Sequence, residues 1–350
     1  MAVKVRGADL PSERDALLDV LQRNLRDFPH AKRFDWLYNR NPVGRGRSWF
    51  ACQQGTDKVV GVASVFPRAV WLGKAVKICG QVGDFAVDSD HRSLGPALAL
   101  QRATLEPVDQ GSLAFCYDCP PHEQGMATFH RLKMEKSCDM HRYAMPLRIE
   151  GWLDRVLGLR GPLSVPIALA GNWALKLLTR SPCRLDGSEI SFHAGSFGEE
   201  FSSLDEEVGG AENTIRGRRR LEDLNWRYRE DPLHDYRVLV ARRAGRLLGF
   251  VIYTVSQQSA HIVDLFGRLS QNVGLCLLEA AVEDARSCGV RSVDVLLSDG
   301  NDDGSLLQKA HFRHRSSAER VVAYATPGSE ARAFLDEGPR WVLHRADVMA

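Results

Sequence analysis

The sequence predicts a mixed α/β protein built as two similar halves. Three observations carry this. The chain has 350 residues, more than one hydrophobic core usually serves. Trp-x-Tyr-x-x-x-Pro occurs twice, once from Trp36 through Tyr38 to Pro42 and once from Trp226 through Tyr228 to Pro232. The same order of strand-like and helix-like segments surrounds both copies.

In the first half Val3-Lys4-Val5 reads as an opening strand and Ser12 to Leu25 as a helix. After the motif, Ser48 to Cys52 and Val59 to Val65 are apolar runs with a turn between them, as paired strands require. Gly83-Asp84-Phe85-Ala86-Val87 is a strand that carries an aspartate. A glycine-containing turn leads from it into a helix from Pro96 to about Leu105, where the missing N–H of proline costs nothing. Leu113 to Tyr117 is the next strand-like run.

The second half repeats this order. Ile190-Ser191-Phe192 precedes a helix around Glu199 to Val208, and the motif is followed by Tyr236 to Ala241 and Leu247 to Tyr253. Ile262-Val263-Asp264-Leu265-Phe266 again carries an aspartate. A helix from Gly274 to Ser287 stops at Gly289 and gives way to Val290 to Leu297. The halves are assigned to residues 1–149 and 186–350. Residues 150–185 have no counterpart and join them. This joint holds Trp152, Leu153, Val156 and Leu157 at helical spacing, then an apolar stretch from Leu163 to Leu178. Interrupted by Pro166, Asn172 and Lys176, the stretch is shorter than the roughly 20 residues of a membrane span. It reads as an interdomain packing helix, with a membrane-surface or oligomer contact as the other use of such a surface.

Lys+Arg 46 against Asp+Glu 44 gives a net charge of +2, which argues against a dedicated nucleic-acid binder. Eight cysteines are too few for a disulfide scaffold, and the opening MAVKVRGADL has no apolar signal segment. A reducing cytoplasm is the expected compartment.

The run Val87-Asp88-Ser89-Asp90-His91-Arg92-Ser93-Leu94-Gly95-Pro96-Ala97 lies between a strand and a helix. Small residues in a tight turn let backbone N–H groups approach an anion, and a helix N-terminus adds its positive dipole end. Here the sequence resembles the GCN5-related N-acetyltransferase family, whose coenzyme A loop reads Arg/Gln-x-x-Gly-x-Gly/Ala and is matched by Arg92, Gly95 and Ala97. That family's order of strand, helices, three-stranded meander, glycine loop, helix, strand, helix and closing strands runs through residues 3 to 149. The resemblance implies two tandem folds of this type in one chain. The loop of the second half is degenerate: Gln271 and Gly274 fit it, but Cys276 replaces the small third residue. Similar tandems include the Fem-type aminoacyl transferases and the enhanced-intracellular-survival acetyltransferases.

The resemblance further implies acetyl-CoA, or another acyl-CoA, as co-substrate and no metal. The residues it assigns to the cofactor are Phe85, Val87, Arg92, Ser93, Leu94, Gly95, Pro96 and Ala97. A backbone N–H near Val87 polarises the thioester carbonyl while a primary amine attacks it directly. Asp84 is the expected base for the amine proton. The family's acid, a tyrosine in a Tyr-x-x-x-Gly-Phe pattern, is replaced by Phe129 in one half and Leu307 in the other. Tyr117, His130 or a water takes its place, or thiolate release needs no dedicated acid. Proteins of this kind resemble those encoded beside bacterial polysaccharide genes, which makes a small amine or an amino sugar the expected acceptor. Two other readings stand beside this one: a non-catalytic sensor that kept the fold, and a Fem-type aminoacyl-tRNA-dependent transferase, which needs a broad basic groove.

Trp36 and Tyr38 are candidate acceptor-lining aromatics. Because Trp226 and Tyr228 repeat them, all four read more simply as packing anchors, each within its own domain. Cys116-x-x-Cys119 with Cys138-x-x-His141 has zinc-ribbon spacing, but Cys116 stands in an apolar strand run and reads as a packing thiol. Arg216-Gly217-Arg218-Arg219-Arg220, diluted by Glu222 and Asp223, reads as a solvated helix start. Asp88 and Asp90 are compatible with an anion site only if they face solvent.

Overall fold

A computed structural model describes residues 3–26, 29–120, 128–132, 134–150, 153, 164–179, 183, 187–269, 271–315 and 319–348. Alternation of apolar and polar residues dictates strands that bury one or both faces. The first sheet begins with β1 (Val3–Gly7), β2 (Arg47–Gln53), β3 (Val59–Leu72) and β4 (Ala75–Val87), an antiparallel meander in sequence order. Helices α1 (Leu10–Asn24) and α2 (His30–Phe34) cover one face of it, with Leu17, Val20 and Leu21 packed among Phe50, Val62, Phe66 and Ala86. The chain leaves α2 through a π-helical turn, Asp35–Asn39, that contains Trp36 and Tyr38. On the other face α3 (Leu94–Asp109) sets Leu100, Ala103 and Leu105 against Val60, Val65 and Val82. Then β5 (Cys116–Asp118) runs parallel to β4.

The next strand, β6 (Glu135–Pro146), carries the chain from one sheet into the other. After it come α4 (Ser164–Leu178), β7 (Ser188–Phe192), α5 (Glu199–Val208), β8 (Thr214–Gly217) and α6 (Leu221–Tyr228). The second meander is β9 (Tyr236–Arg243), β10 (Arg246–Val255) and β11 (Ser259–Gly267), with α7 (Gln271–Ser287) and β12 (Ser292–Ser298) completing the repeat. Gly289 ends the α7 turn at φ +79°, a conformation that favours glycine. The chain finishes with α8 (Asp303–Lys309), β13 (Arg313–Arg315), β14 (Arg320–Tyr324), α9 (Glu330–Asp336), β15 (Arg340–Val342) and α10 (Arg345–Val348). The order read from the sequence holds from β1 to β5 in the first half and from β7 to β12 in the second, and the helix expected after β5 falls largely outside the described residues.

The two sheets are woven together. The start of β6 pairs with β14, Arg320 facing Asp139 and Ala323 facing Glu135. Its end lies between β12, with Ser298 facing Met140, and β13, with His314 facing Tyr143. In turn β14, from the end of the chain, sits between β5 and β6 in the first sheet. Each repeat thus donates its closing strand to the other's sheet. Residue 149 ends a repeat in the sequence, but the hydrogen-bonded sheet does not divide there. β8 adds a further tie, antiparallel to the end of β3 and parallel to β15.

Three expectations need correcting. The basic run is not a solvated helix start: Arg218 and Arg219 are 7% and 4% exposed, because Asp205, Glu206, Asp264 and Asp347 surround them. Asp88 does not face solvent; it turns back onto α1. Cys183 and Cys276 are joined in a disulfide, a bond that the low cysteine count did not anticipate. Cys116 and Cys138 are buried in two different core clusters. Trp152, Val156, Leu157 and Leu163 lie outside the described residues.

Candidate functional site

The repeated motif builds the same arrangement twice. In the first half the β3/β4 register shifts next to Asp84, which has φ +47°. Such a bulge re-aims a side chain, and aspartate tolerates the left-handed region better than most residues. Its carboxylate points to the α2 side of the sheet, accepts a 2.7 Å hydrogen bond from the Tyr38 hydroxyl and pairs with the Arg33 guanidinium. Tyr38 also meets Ser64 Oγ at 3.0 Å. In the second half the β10/β11 register shifts beside Asp264. Its Oδ2 accepts from the Tyr228 hydroxyl at 2.9 Å, and Arg219 pairs with it at 2.7 Å. Desolvation pushes both tyrosine hydroxyls far above their ordinary range, so each stays a donor.

The two clefts differ in what fills them. β4 and β5 share only two residue pairs, Gly80 with Cys116 and Gln81 with Tyr117. Past Gln81 the strands part, and the β5-facing edge of Val82 to Val87 has no strand partner among the described residues. β11 and β12 pair from Ser259 with Ser292 to Ile262 with Val295 and then part as well. There the chain's own C-terminal segment occupies the gap: Leu297 bridges to His344, Ser298 N–H donates to the Leu343 carbonyl at 3.1 Å, and Asp347 pairs with Arg219 at 2.7 Å. Arg345 adds an ion pair to Asp294 at 2.6 Å.

The loop from Asp88 to Ala97 lies at the end of the open β4 edge. Arg23 binds both Asp88 oxygens, at 2.7 and 2.9 Å, and Asn24 Nδ2 adds a bond at 2.7 Å. Burial would raise the Asp88 carboxyl, but these partners outweigh it and hold the group below the usual carboxylate range. The acid next to the loop is therefore already neutralised. Arg92 Nε donates to the Val87 carbonyl at 3.1 Å. Ser93 stands at the N-cap of α3 in extended conformation, and its hydroxyl caps nothing. The first-turn N–H groups of Leu94 and Gly95 therefore point out of the helix end, while the Ala97 N–H closes the first helical bond onto the Ser93 carbonyl, and nothing beyond the adjoining chain and helix backbone lies within 4 Å of where a Gly95 side chain would begin. Backbone donors, a helix dipole and open space fit the diphosphate of a coenzyme A.

The corresponding end of α7 does not fit it. A side chain at Gly274 would begin 2.5 Å from Leu306, so α8 packs directly on that turn. Cys276 is bonded to Cys183. The opening beyond β11 is lined by Asp302 and Asp303 together with Arg216, Arg340 and His344, and Arg340 pairs with Asp302 at 2.7 Å, so its cations are partly taken up.

The other candidate residues fall as follows. Phe85 packs partly buried against the α3 core. Tyr117 is 3% exposed, and its hydroxyl donates to the Asp347 carbonyl at 2.6 Å. Burial pushes that hydroxyl far upward, so it is bound to the C-terminal segment in this arrangement. Phe129 is buried in the α3 core. Tyr38 is 1% exposed and bonded to Asp84, so it supports the carboxylate instead of lining a pocket. Trp36 and Trp226 are not anchors within separate domains. They stack on one another across the two halves and, with Arg33, Arg68, Arg227 and Tyr236, line a pocket between them.

Sequence reasoning missed Arg33, Arg219 and Asp347. Arg33 stands five residues before Tyr38 and Arg219 nine before Tyr228, so no common spacing marks them. It also missed Asp118, at the end of β5, whose carboxyl desolvation pushes up to about 7.

No family model matches the sequence, and no curated protein matches it. The fold is closely paralleled in solved structures. A protein of unknown function from Enterococcus faecalis, described as a probable N-acyltransferase, superposes with a TM-score of 0.65 at 13% identity over 93% of this chain and 72% of its own. A GCN5-related N-acetyltransferase from Anabaena variabilis gives 0.65 at 13% identity over 91% and 72%. The N-myristoyltransferase of Saccharomyces cerevisiae, with bound myristoyl-CoA, gives 0.56 at 11% over 93% and 79%. At these identities the likeness is one of fold, and the fold is that of the GCN5-related N-acetyltransferases.

Proposed function

We propose that this chain, having the N-acetyltransferase fold, is an acyl-CoA-dependent N-acyltransferase whose first half carries the reaction and whose second half holds no cofactor. The observation that carries the reading is the uncapped N-terminus of α3 beside the unpaired edge of β4, with the nearby acid neutralised by Arg23. The Leu94 and Gly95 N–H groups, with Arg92, would hold the diphosphate. When bound, acyl-CoA supplies a thioester carbonyl open to attack by an amine. The N–H groups on the β4 edge near Val87 would orient that carbonyl and stabilise charge on its oxygen. Asp84, fixed between Arg33 and Tyr38 on the opposite face of the sheet, would hold the acceptor's ammonium and take its proton.

We take acetyl as the acyl group and a primary amine of a small molecule or an amino sugar as acceptor, on the strength of the loop and the resemblance. The cytoplasm is the proposed compartment on cysteine frequency, and the Cys183–Cys276 bond counts against it.

One observation favours a second reading, a binding protein without turnover: both Asp84 oxygens are already engaged, one by Arg33 and one by Tyr38. The two separate in one assay. Free thiol is followed from acetyl-CoA over a panel of amines and amino sugars, with wild type and Asp84→Ala. The enzyme reading expects amine-dependent thiol release that falls by about 100-fold or more in the variant. Binding of acetyl-CoA with no thiol release for any amine would favour the second reading.

A further inference from the structure

Helix α4 is inside out. Ala168, Gly171 and Asn172 face the protein. A side chain at Gly171 would begin 2.0 Å from the tip of the Ile149 side chain, so the helix approaches Ile149 closely here. Asn172 accepts from the Ile149 N–H at 2.8 Å and donates to Glu150 at 2.8 Å, while Lys176 pairs with Glu283 at 2.7 Å. Apart from Lys176, the residues turned to water are apolar. Ile167, Leu169, Trp173, Leu177 and Leu178 are 47, 66, 68, 53 and 73% exposed. The remaining positions on that side, Pro166, Ala170 and Ala174, are apolar and exposed too. At 3.6 residues per turn these eight positions sweep about 180° of the helix without a polar interruption.

An exposed arc of this kind needs something to cover it. Its width and its electrical setting decide what. A helix–helix seam uses a narrower stripe, whereas the plane of a lipid interface can cover half a helix. From residue 148 to residue 184 the sequence holds six cations, Arg148, Arg155, Arg160, Lys176, Arg180 and Arg184, against two carboxylates, Glu150 and Asp154. That is a local net of +4 in a chain whose total is +2. A stretch of sequence with excess cations complements anionic headgroups. No helix of the described residues is long and apolar enough to cross a membrane.

We propose that the outer face of α4 lies in the surface of an anionic membrane and docks the protein there from one side. Trp173 sits among the apolar residues at the depth where indoles are favoured. The inference is independent of acyl transfer.

The test is co-sedimentation of the full chain with vesicles of phosphatidylcholine alone and of phosphatidylcholine with phosphatidylglycerol, at low and high salt. The comparison variant is Leu169→Asp with Leu177→Asp. Both sites are exposed, and an unchanged melting temperature verifies folding. The expected result is salt-sensitive pelleting with the anionic vesicles, reduced by about tenfold or more in the double variant. Brominated lipid should quench wild-type fluorescence more strongly than that of Trp173→Phe. The proposal is overturned if wild type stays in the supernatant with both vesicles or if the double variant pellets equally well. It is also overturned if light scattering finds a dimer that the double variant splits while vesicles bind neither protein, since a second copy of the chain is then what covers the face.

Discussion

Trp36 and Trp226 hold each other by the same bond in both directions. Trp36 Nε1 donates to the Trp226 carbonyl at 2.7 Å, Trp226 Nε1 donates to the Trp36 carbonyl at 2.9 Å, and the rings stack at 4.9 Å. The repeated motif is thus its own partner, and its two copies add a contact between the halves to the exchanged strands. Replacing either tryptophan by phenylalanine should keep the stack and remove one bond, costing about 1–2 kcal/mol. Alanine should cost about 3–5 kcal/mol. Denaturant unfolding of the two single variants and the double variant measures the coupling. Strict additivity would contradict a direct contact.

Asp84 and Arg33 form a buried pair, with side chains 5% and 4% exposed. Removing the carboxylate by Asp84→Asn takes the Asp84 charge away from a buried guanidinium. The expected loss is about 3–5 kcal/mol, largely recovered when Arg33→Met is added. Thermal unfolding of the three proteins checks this. A single variant as stable as wild type would show that Arg33 finds another partner.

Two carboxyls far apart in the chain titrate near neutrality. Desolvation pushes Asp118 up to about 7; it also pushes Asp223, on α6, up to about 7. A raised carboxyl keeps its proton in the folded protein after the unfolded chain has released it. These groups therefore stabilise least at high pH, and stability should fall between about pH 4, the unfolded value, and pH 7. Asp118→Asn cannot ionise, so its melting temperature should approach or exceed that of wild type at pH 8 and gain less at pH 4. Equal pH slopes for the two proteins would contradict the assignment.

The strands, the helix order and the α3 loop were legible because they rest on local pattern: period, turn residues and an N-terminal proline. The strand exchange was not, since β6 and β14 have no local feature that says which sheet they join. Asp84 was legible as a strand aspartate, but Arg33 was not, because only the bulge brings the two together. The basic run of Arg218 and Arg219 misled for the same reason. Their partners Asp205, Asp264 and Asp347 are distant in sequence, so a buried network looked like a solvated surface. Cys276 stood out only as a misfit in a loop, and nothing in its neighbourhood pointed to Cys183.

Of the two repeats, only the first has a helix end proposed to bind the cofactor, at the α3 loop. Calorimetric titration with coenzyme A, on wild type and on Gly95→Glu, tests it most directly. The new carboxylate would stand in the open space at the helix end and repel a diphosphate. The expected result is one site per chain in wild type and no measurable binding in the folded variant, with a ligand-dependent rise in melting temperature for wild type only. No binding to wild type, two sites per chain, or undiminished binding to Gly95→Glu would contradict it.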